Sequence, residues 1–265
     1  MSDTLQQKYG PWALVAGGSE GVGEHFARKL AAAGINLVLV SRRLPPLAAL
    51  AEDIMATTGV QVRTGSLNLA KPEMLEEITR LTKGLEIGML VYNAGTDNRA
   101  ADFLDVPLER VQYSIRLSVI GQTLLCHHFG TAMRARGRGG IILVGSLLGF
   151  AGGGAMSVYA ASKAYSHTLA KGLWHELRPY GVDVLGLVIS ATATPAYEKF
   201  GLASSHGDII ASSPEKVAQE GLDQLAHGPI HVVSDAAETA RNLLALPPAE
   251  AVEMVSANAA AMRKG

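Results

Sequence analysis

Trp12-Ala13-Leu14-Val15-Ala16-Gly17-Gly18-Ser19-Glu20-Gly21-Val22-Gly23 sets an apolar run directly against a glycine turn, and a helical pattern from Glu24 to Ala33 follows, closed by Gly34. Glycines let a backbone approach a pyrophosphate closely, while the helix N-terminus adds amide donors and a favourable dipole. A bare glycine turn between strand and helix is the plainer alternative. The position decides against it: strand before, helix after, near the start of the chain. The spacing is GxxxGxG and not GxGxxG. Gly17, Ser19, Glu20, Gly21, Val22 and Gly23 are therefore candidate cofactor-binding residues.

Strand-like and helix-like stretches alternate beyond this unit. Strands are expected at Asn36 to Val40, Gln61 to Ser66, Met89 to Tyr92, Ile141 to Val144 and Asp183 to Ile189. Helices are expected at Pro46 to Thr57, Glu73 to Lys83, Leu108 to Arg136 and Tyr159 to Tyr180. The alternation predicts an α/β fold: a single-domain, Rossmann-type, doubly wound parallel sheet of about seven strands, helices on both faces. Ser213-Pro214-Glu215 reads as a helix start, Ile230 to Val233 as a seventh strand, and two short helices follow. Residues 1–265 are expected to form one dinucleotide-binding and catalytic domain, with 190–265 supplying the substrate loop and C-terminal elements. Ala196 to Ser212 reads as a mobile loop in which Tyr197 and Phe200 could cover an apolar ligand, against the alternative of a surface loop without that role.

Of 265 residues, 48% are hydrophobic and 18% charged, with net charge −1, a balance that gives no reason to expect nucleic acid. The lone cysteine, Cys126, excludes an intrachain disulfide and a cysteine-rich metal site, and no metal is expected. It is expected to be buried and inert. The N-terminus lacks a basic region followed by an apolar run. Gly139 to Ser162 is uncharged, but its glycines and serines suit a buried strand running into a loop better than a membrane span. A soluble, cytoplasmic protein without membrane partners is expected.

The end of the second strand should meet an adenosine ribose. An acid there would bind the hydroxyls of NAD; here Ser41-Arg42-Arg43 stands instead. Serine leaves room, and an arginine fork suits a 2′-phosphate, so NADP(H) is favoured over NAD(H). The alternative is a solvated basic pair at a helix start. Glu20 opposes the phosphate reading, since an acid pointing inward would repel it.

Tyr159-Ala160-Ala161-Ser162-Lys163 puts a phenol and an ammonium on one helix face. A free tyrosine titrates near ~10, and a neighbouring cation favours its phenolate, making it a usable general acid or base. Alone, the spacing is common by chance. Ser146, just past the strand Ile141 to Val144, changes the weighing, because open α/β sheets bind ligands at strand C-terminal ends.

With the glycine turn, Ser146 and Tyr159-x-x-x-Lys163 in this order, the chain resembles the short-chain dehydrogenases/reductases over roughly Tyr9 to Pro195. Tyr92-Asn93-Ala94-Gly95 matches the family's Asn-Asn-Ala-Gly turn, which supports sheet and cofactor. Asn68 stands where the family has an aspartate beside the adenine, and Thr194-Pro195 matches a segment whose threonine contacts the nicotinamide carboxamide. The resemblance implies hydride transfer between a nicotinamide and a carbonyl or alcohol. Tyr159 would protonate the alkoxide, Lys163 would lower the tyrosine pKa and hold the ribose, and Ser146 would bind the substrate oxygen. Tyr9-Gly10-Pro11-Trp12 and Ile87-Gly88-Met89-Leu90-Val91 look like the branch of 3-ketoacyl-CoA reductases and 17β-hydroxysteroid dehydrogenases, which implies a bulky, apolar substrate.

Three positions depart from the pattern. Ser118 stands for the asparagine that helps hold a water leading from the lysine to solvent, so a modified proton relay is expected. Ile189-Ser190 replaces Pro-Gly, and Ala16 replaces a threonine. A different class therefore stays open: a dinucleotide-binding sensor of the same fold with weak or lost catalysis. His127 and His128 are expected to pack or meet an interface, and Arg134, Arg136 and Arg138 to form a solvated helix end. The two long helices resemble those that pair subunits in the family, implying a homodimer or homotetramer.

Overall fold

The computed structural model describes residues 2–95, 100–195, 205–206 and 209–262. Its strands are β1 (Trp12–Ala16), β2 (Asn36–Ser41), β3 (Val62–Ser66), β4 (Ile87–Tyr92), β5 (Gly139–Val144), β6 (Val182–Val188), β7 (Ser205–His206), β8 (Ile209–Ile210) and β9 (Ile230–Val232). Seven of these form one sheet in the order β3-β2-β1-β4-β5-β6-β9, with every pairing parallel. This is the expected Rossmann-type sheet, Ile230–Val232 included. β7 and β8 form a separate antiparallel pair within the stretch expected as a loop. Tyr197 and Phe200, proposed to cover a ligand, lie outside the described residues.

Every residue of β1, β4 and β5 is buried, as a parallel sheet covered on both faces requires. Side chains alternate between two cores. Ala13, Val15, Leu37, Leu39, Met89 and Val91 face one side, against Phe26 and Leu30 of α2 (Gly21–Ala32) and Leu47 and Ile54 of α3 (Leu44–Thr58). Leu14, Ala16, Val38, Val40, Leu90 and Tyr92 face the other. There they meet Ile78 of α4 (Met74–Leu81), Leu125 and Phe129 of α6 (Gln122–Arg136), and Ala170 of α8 (Ser157–Leu177). The strand order reverses between β1 and β4, so the crevice where such sheets bind ligands opens beyond those two strand ends.

Three elements differ from the sequence reading. α1 (Ser2–Tyr9) precedes β1; it is polar, and the Tyr9 hydroxyl holds it by donating to Asp183 at 2.7 Å. Of the three arginines expected as a solvated helix end, Arg134 is exposed beside the Tyr180 ring, while Arg136 and Arg138 are tied down. Arg136 donates to the Ile87 carbonyl at 2.6 Å, while Arg138 donates to the Gln7 carbonyl at 3.1 Å and pairs with Glu86. The run Leu108 to Arg136 is helical throughout, but α5 (Leu108–Ile115) and α6 are joined by a π-turn, Arg116–Gly121. Such a turn frees carbonyls from the helical ladder. The Tyr92 hydroxyl takes the Leu117 carbonyl at 2.5 Å, and the Gln122 amide takes that of Ser118.

Ser213 caps the helix at Pro214–Gln224, as expected, with its side chain accepting the Lys216 N–H. The two final helices are Ala237–Ala245 and Pro248–Met262, the second longer than expected at 15 residues. Leu243, Ala251 and Val255 from this pair bury against Leu148, Phe150 and Ala151 of α7 (Leu148–Ala151), which follows β5. Among the described residues no helix is long and apolar enough to cross a membrane.

Candidate active site

Two turns meet at the reversal of strand order. The glycine turn leaves β1 and enters α2 at Gly21, three residues earlier than expected; the first helical residue is uncapped by any side chain. A β-carbon on Gly23 would sit 2.0 Å from the Gly17 carbonyl oxygen and 2.9 Å from the Asn93 amide nitrogen, so only glycine allows this closure. The turn after β4 braces it from behind. Asn93 donates its side-chain amide to the Gly17 carbonyl at 3.0 Å and its backbone N–H to Ala16 at 2.9 Å. The Ala94 backbone nitrogen lies 2.8 Å from where a Gly17 β-carbon would be. Among the described residues no atom lies within 4 Å of a β-carbon placed on Gly95, and Thr194 lies against the glycine turn, its Cγ2 at 2.8 Å from the β-carbon position of Gly21. The glycine turn, Asn93, Ala94 and Thr194 are thus brought together. A cradle with no room for side chains and a helix start with uncapped amides suits a pyrophosphate.

At the end of β2 the two arginines part. Arg43 pairs with Glu20, so the acid that opposed a phosphate there is matched by a cation. Arg42 instead donates to the Tyr113 hydroxyl at 3.0 Å, and Tyr113 lies 3.5 Å from the Oδ1 of Asn68. Ser41 bonds the Arg43 carbonyl at 3.1 Å, shaping the turn. Asn68 accepts the Ala70 N–H at 3.1 Å. Neither the Glu20–Arg43 pair nor the Tyr113 contact has a local signal in the sequence, because each joins separate loops.

The second group gathers where β5 ends. Tyr159 is half-buried in the first turn of α8, and Lys163 lies one turn on, its Nζ 5.6 Å from the tyrosine ring centre. The same Nζ donates to the Val144 carbonyl at 2.8 Å. Burial lowers the Lys163 ammonium to about 8 from an ordinary 10.5. Ser146, two residues past Val144, is buried; its Oγ accepts the Leu148 N–H at 3.4 Å. That leaves its own O–H as a donor.

Beneath Ser146 lies His167, which sequence reasoning passed over. Its ring is 3% exposed, and Nε2 accepts the Ser146 N–H at 3.4 Å. The acceptor role at Nε2 puts the ring proton on Nδ1. Gly145 makes the room, since a β-carbon there would lie 2.3 Å from Nε2. Burial, then the charges of Lys163 and Lys171, lower its pKa to about 4, so the ring is neutral. A histidine one turn after Lys163 was the available signal.

Ser118 sits buried in the π-turn, its Oγ without a hydrogen-bond partner among the described residues. Gln122, also missed, donates to the Ser118 carbonyl and accepts from Ser166 of α8 at 3.0 Å. Cys126 is buried, as expected, and its thiol is pushed up to about 12. His128 lies edge-on to Phe129, while His127 is exposed. Among the described residues no cluster of potential metal ligands occurs.

Residues 11–203 match the family profile described as short chain dehydrogenase. A 7beta-hydroxysteroid dehydrogenase of Clostridium sardiniense is 31% identical over 83% of this chain and 84% of its own. A very-long-chain 3-oxoacyl-CoA reductase of Podospora anserina is 33% identical over 82% of this chain and 64% of its own. A short-chain dehydrogenase from Sphingobium yanoikuyae, solved in complex with NADPH, superposes with a TM-score of 0.78 at 29% identity, covering 88% and 94% of the two chains.

Proposed function

The chain belongs to the short-chain dehydrogenase family, oxidoreductases that bind a nicotinamide dinucleotide, and from that premise we propose an NADP(H)-dependent enzyme that interconverts a ketone and a secondary alcohol on a bulky, apolar substrate. The carrying observation is Lys163, held by the Val144 carbonyl at 2.8 Å with Tyr159 beside it. A cation at that distance favours the phenolate, which lets Tyr159 release its proton to a developing alkoxide and recover it in the reverse direction. Ser146 donates its free O–H to the same substrate oxygen and fixes the carbonyl for attack.

The bound nicotinamide supplies or accepts the hydride. Gly17, Ser19, Gly21, Val22 and Gly23 would hold its pyrophosphate, with Glu20 neutralised by Arg43. Asn93, Ala94 and Gly95 support that turn, and Thr194 borders the nicotinamide end. Ser41 leaves space for a 2′-phosphate and Arg42 answers its charge, with Asn68 beside the adenine. NADP(H) over NAD(H) rests on Arg42, whose guanidinium meets a neutral hydroxyl, that of Tyr113.

The bulky substrate rests on two supports. Leu148, Phe150 and Ala151, close after Ser146, are apolar and only partly buried where the C-terminal helices pack on them. The relatives named above are described as acting on a steroid and a very-long-chain acyl-CoA. Residues 190–265 are accordingly assigned to substrate binding within one catalytic domain.

Ser118 favours a second reading. Its buried Oγ has no partner among the described residues, and Gln122 occupies its carbonyl, an arrangement that would suit a dinucleotide-binding protein with impaired proton delivery. The two readings separate in one experiment: hydroxysteroids, oxosteroids and 3-oxoacyl-CoA substrates assayed with NADPH, NADH and their oxidised forms. Turnover with NADPH supports the enzyme. Tight NADPH binding with no turnover across the panel supports the sensor.

A further inference from the structure

The contacts around Arg42 contain more than a charge. Its guanidinium donates to the Tyr113 hydroxyl at 3.0 Å. That hydroxyl has one proton, and the Asn68 Oδ1 lies 3.5 Å away to receive it. Asn68 Oδ1 also accepts the Ala70 N–H at 3.1 Å, which fixes it as an oxygen that cannot donate back. The direction of the chain is therefore set from Arg42 through Tyr113 to Asn68, and it joins the turns after β2 and β3 to the last turn of α5.

We propose that Tyr113 is the positioning residue for cofactor specificity: it holds the Arg42 guanidinium ready for a ribose 2′-phosphate without neutralising it. The proposal rests on the NADP(H) reading above. Arg42 is exposed and long, so ordering it on binding costs rotamer entropy. Tyr113 is half-buried, with its ring against the core on the α6 side of the sheet, and only its hydroxyl reaches the loop. A ring with two torsions makes a stiff post for a flexible cation. The chemistry of the partner matters equally. Arg43, next in sequence, is held by the carboxylate of Glu20 and its charge is spent. A phenol orients Arg42 by the same kind of contact and leaves the full positive charge for an anion.

The test uses the full-length chain and measures dissociation constants for NADPH and NADH by nucleotide fluorescence, for wild type, Tyr113→Phe, Arg42→Ala and the double variant. Tyr113→Phe removes the hydroxyl and keeps the ring. One lost orienting hydrogen bond should weaken NADPH by roughly three- to tenfold and leave NADH within about twofold. Arg42→Ala should weaken NADPH further, and adding Tyr113→Phe to it should cost nothing more. Equal weakening of both nucleotides by Tyr113→Phe, or additive losses in the double variant, would overturn the positioning role while Arg42 kept its own. If Arg42→Ala itself leaves the ratio of the two nucleotides unchanged, the NADP(H) reading fails and the proposal with it.

Discussion

The Oγ of Ser166 lies 3.0 Å from the Oε1 of Gln122, and through this contact the helix that carries Tyr159 and Lys163 is joined to the π-turn at Ser118. Both side chains are buried, and Gln122 uses its amide nitrogen on the Ser118 carbonyl. Ser166 shares its one proton with the Ser162 carbonyl, 3.1 Å away. Breaking such a link strands a buried polar group, which costs about 1–3 kcal/mol. Gln122→Leu should therefore destabilise the fold by that order, because the Ser118 carbonyl loses the Gln122 amide while Ser166 falls back on the Ser162 carbonyl alone. Ser166→Ala should cost less, since Gln122 keeps its bond to Ser118. Urea unfolding of both variants and their combination would measure the coupling. Strictly additive costs would show that the two residues do not act as a unit.

Tyr159→Phe should lower turnover by roughly a hundred- to ten-thousandfold, the usual contribution of a positioned acid or base. The ring and its contact with the Lys163 ammonium survive the change. NADPH binding should therefore stay within about twofold, because removing a proton donor touches the chemical step and not the glycine turn. Steady-state kinetics and nucleotide titration on one preparation separate the two effects. Unchanged turnover would show that Tyr159 is not the acid.

These residues differ in how readable they are. The glycine turn, the Asn93 turn and the Tyr159-Lys163 pair are each contained within a few residues, so their local spacing shows the contact they will make. The strands were legible for a related reason: a sheet covered on both faces demands uninterrupted apolar runs, and β1 and β5 supply them. The π-turn was not, because helical periodicity from Leu108 to Arg136 says nothing of one extra residue in a turn. It is stabilised from outside, by Tyr92 on the neighbouring strand. Gln122, His167 and Tyr113 likewise find their partners across 44, 21 and 71 residues of chain. α1 escaped for the same reason, since Asp183, which holds Tyr9, is 174 residues away.

His167 should make the protein sensitive to mild acid. Its pKa falls from 6.5 when free to about 4 when folded. Between those values the unfolded chain takes up a proton that the native state refuses, so stability declines as pH falls from 6.5 towards 4. Below that window the full loss from this group is about 3 kcal/mol, and above it there is none. His167→Gln keeps a side-chain acceptor for the Ser146 N–H and cannot titrate. Urea unfolding at several pH values should show a shallower decline for the variant, by up to about 1.4 kcal/mol per pH unit. Parallel declines would mean that other groups carry the acid sensitivity.

Arg43→Ala should weaken both nucleotides, unlike changes at Arg42. The side chain it removes is the partner of Glu20, which stands at the N-cap of α2 beside the glycine turn. An unmatched carboxylate there repels a pyrophosphate, and NADPH and NADH share that group. The pair is partly exposed, so solvent limits the effect to roughly two- to fivefold at low salt. Raising ionic strength should shrink it, because exposed charges are screened over about 10 Å at 0.1 M. Adding Glu20→Gln to Arg43→Ala removes the uncompensated charge and should restore both affinities. Should the double variant bind as poorly as Arg43→Ala alone, the loss comes from the shape of the turn after β2 and not from the charge of Glu20.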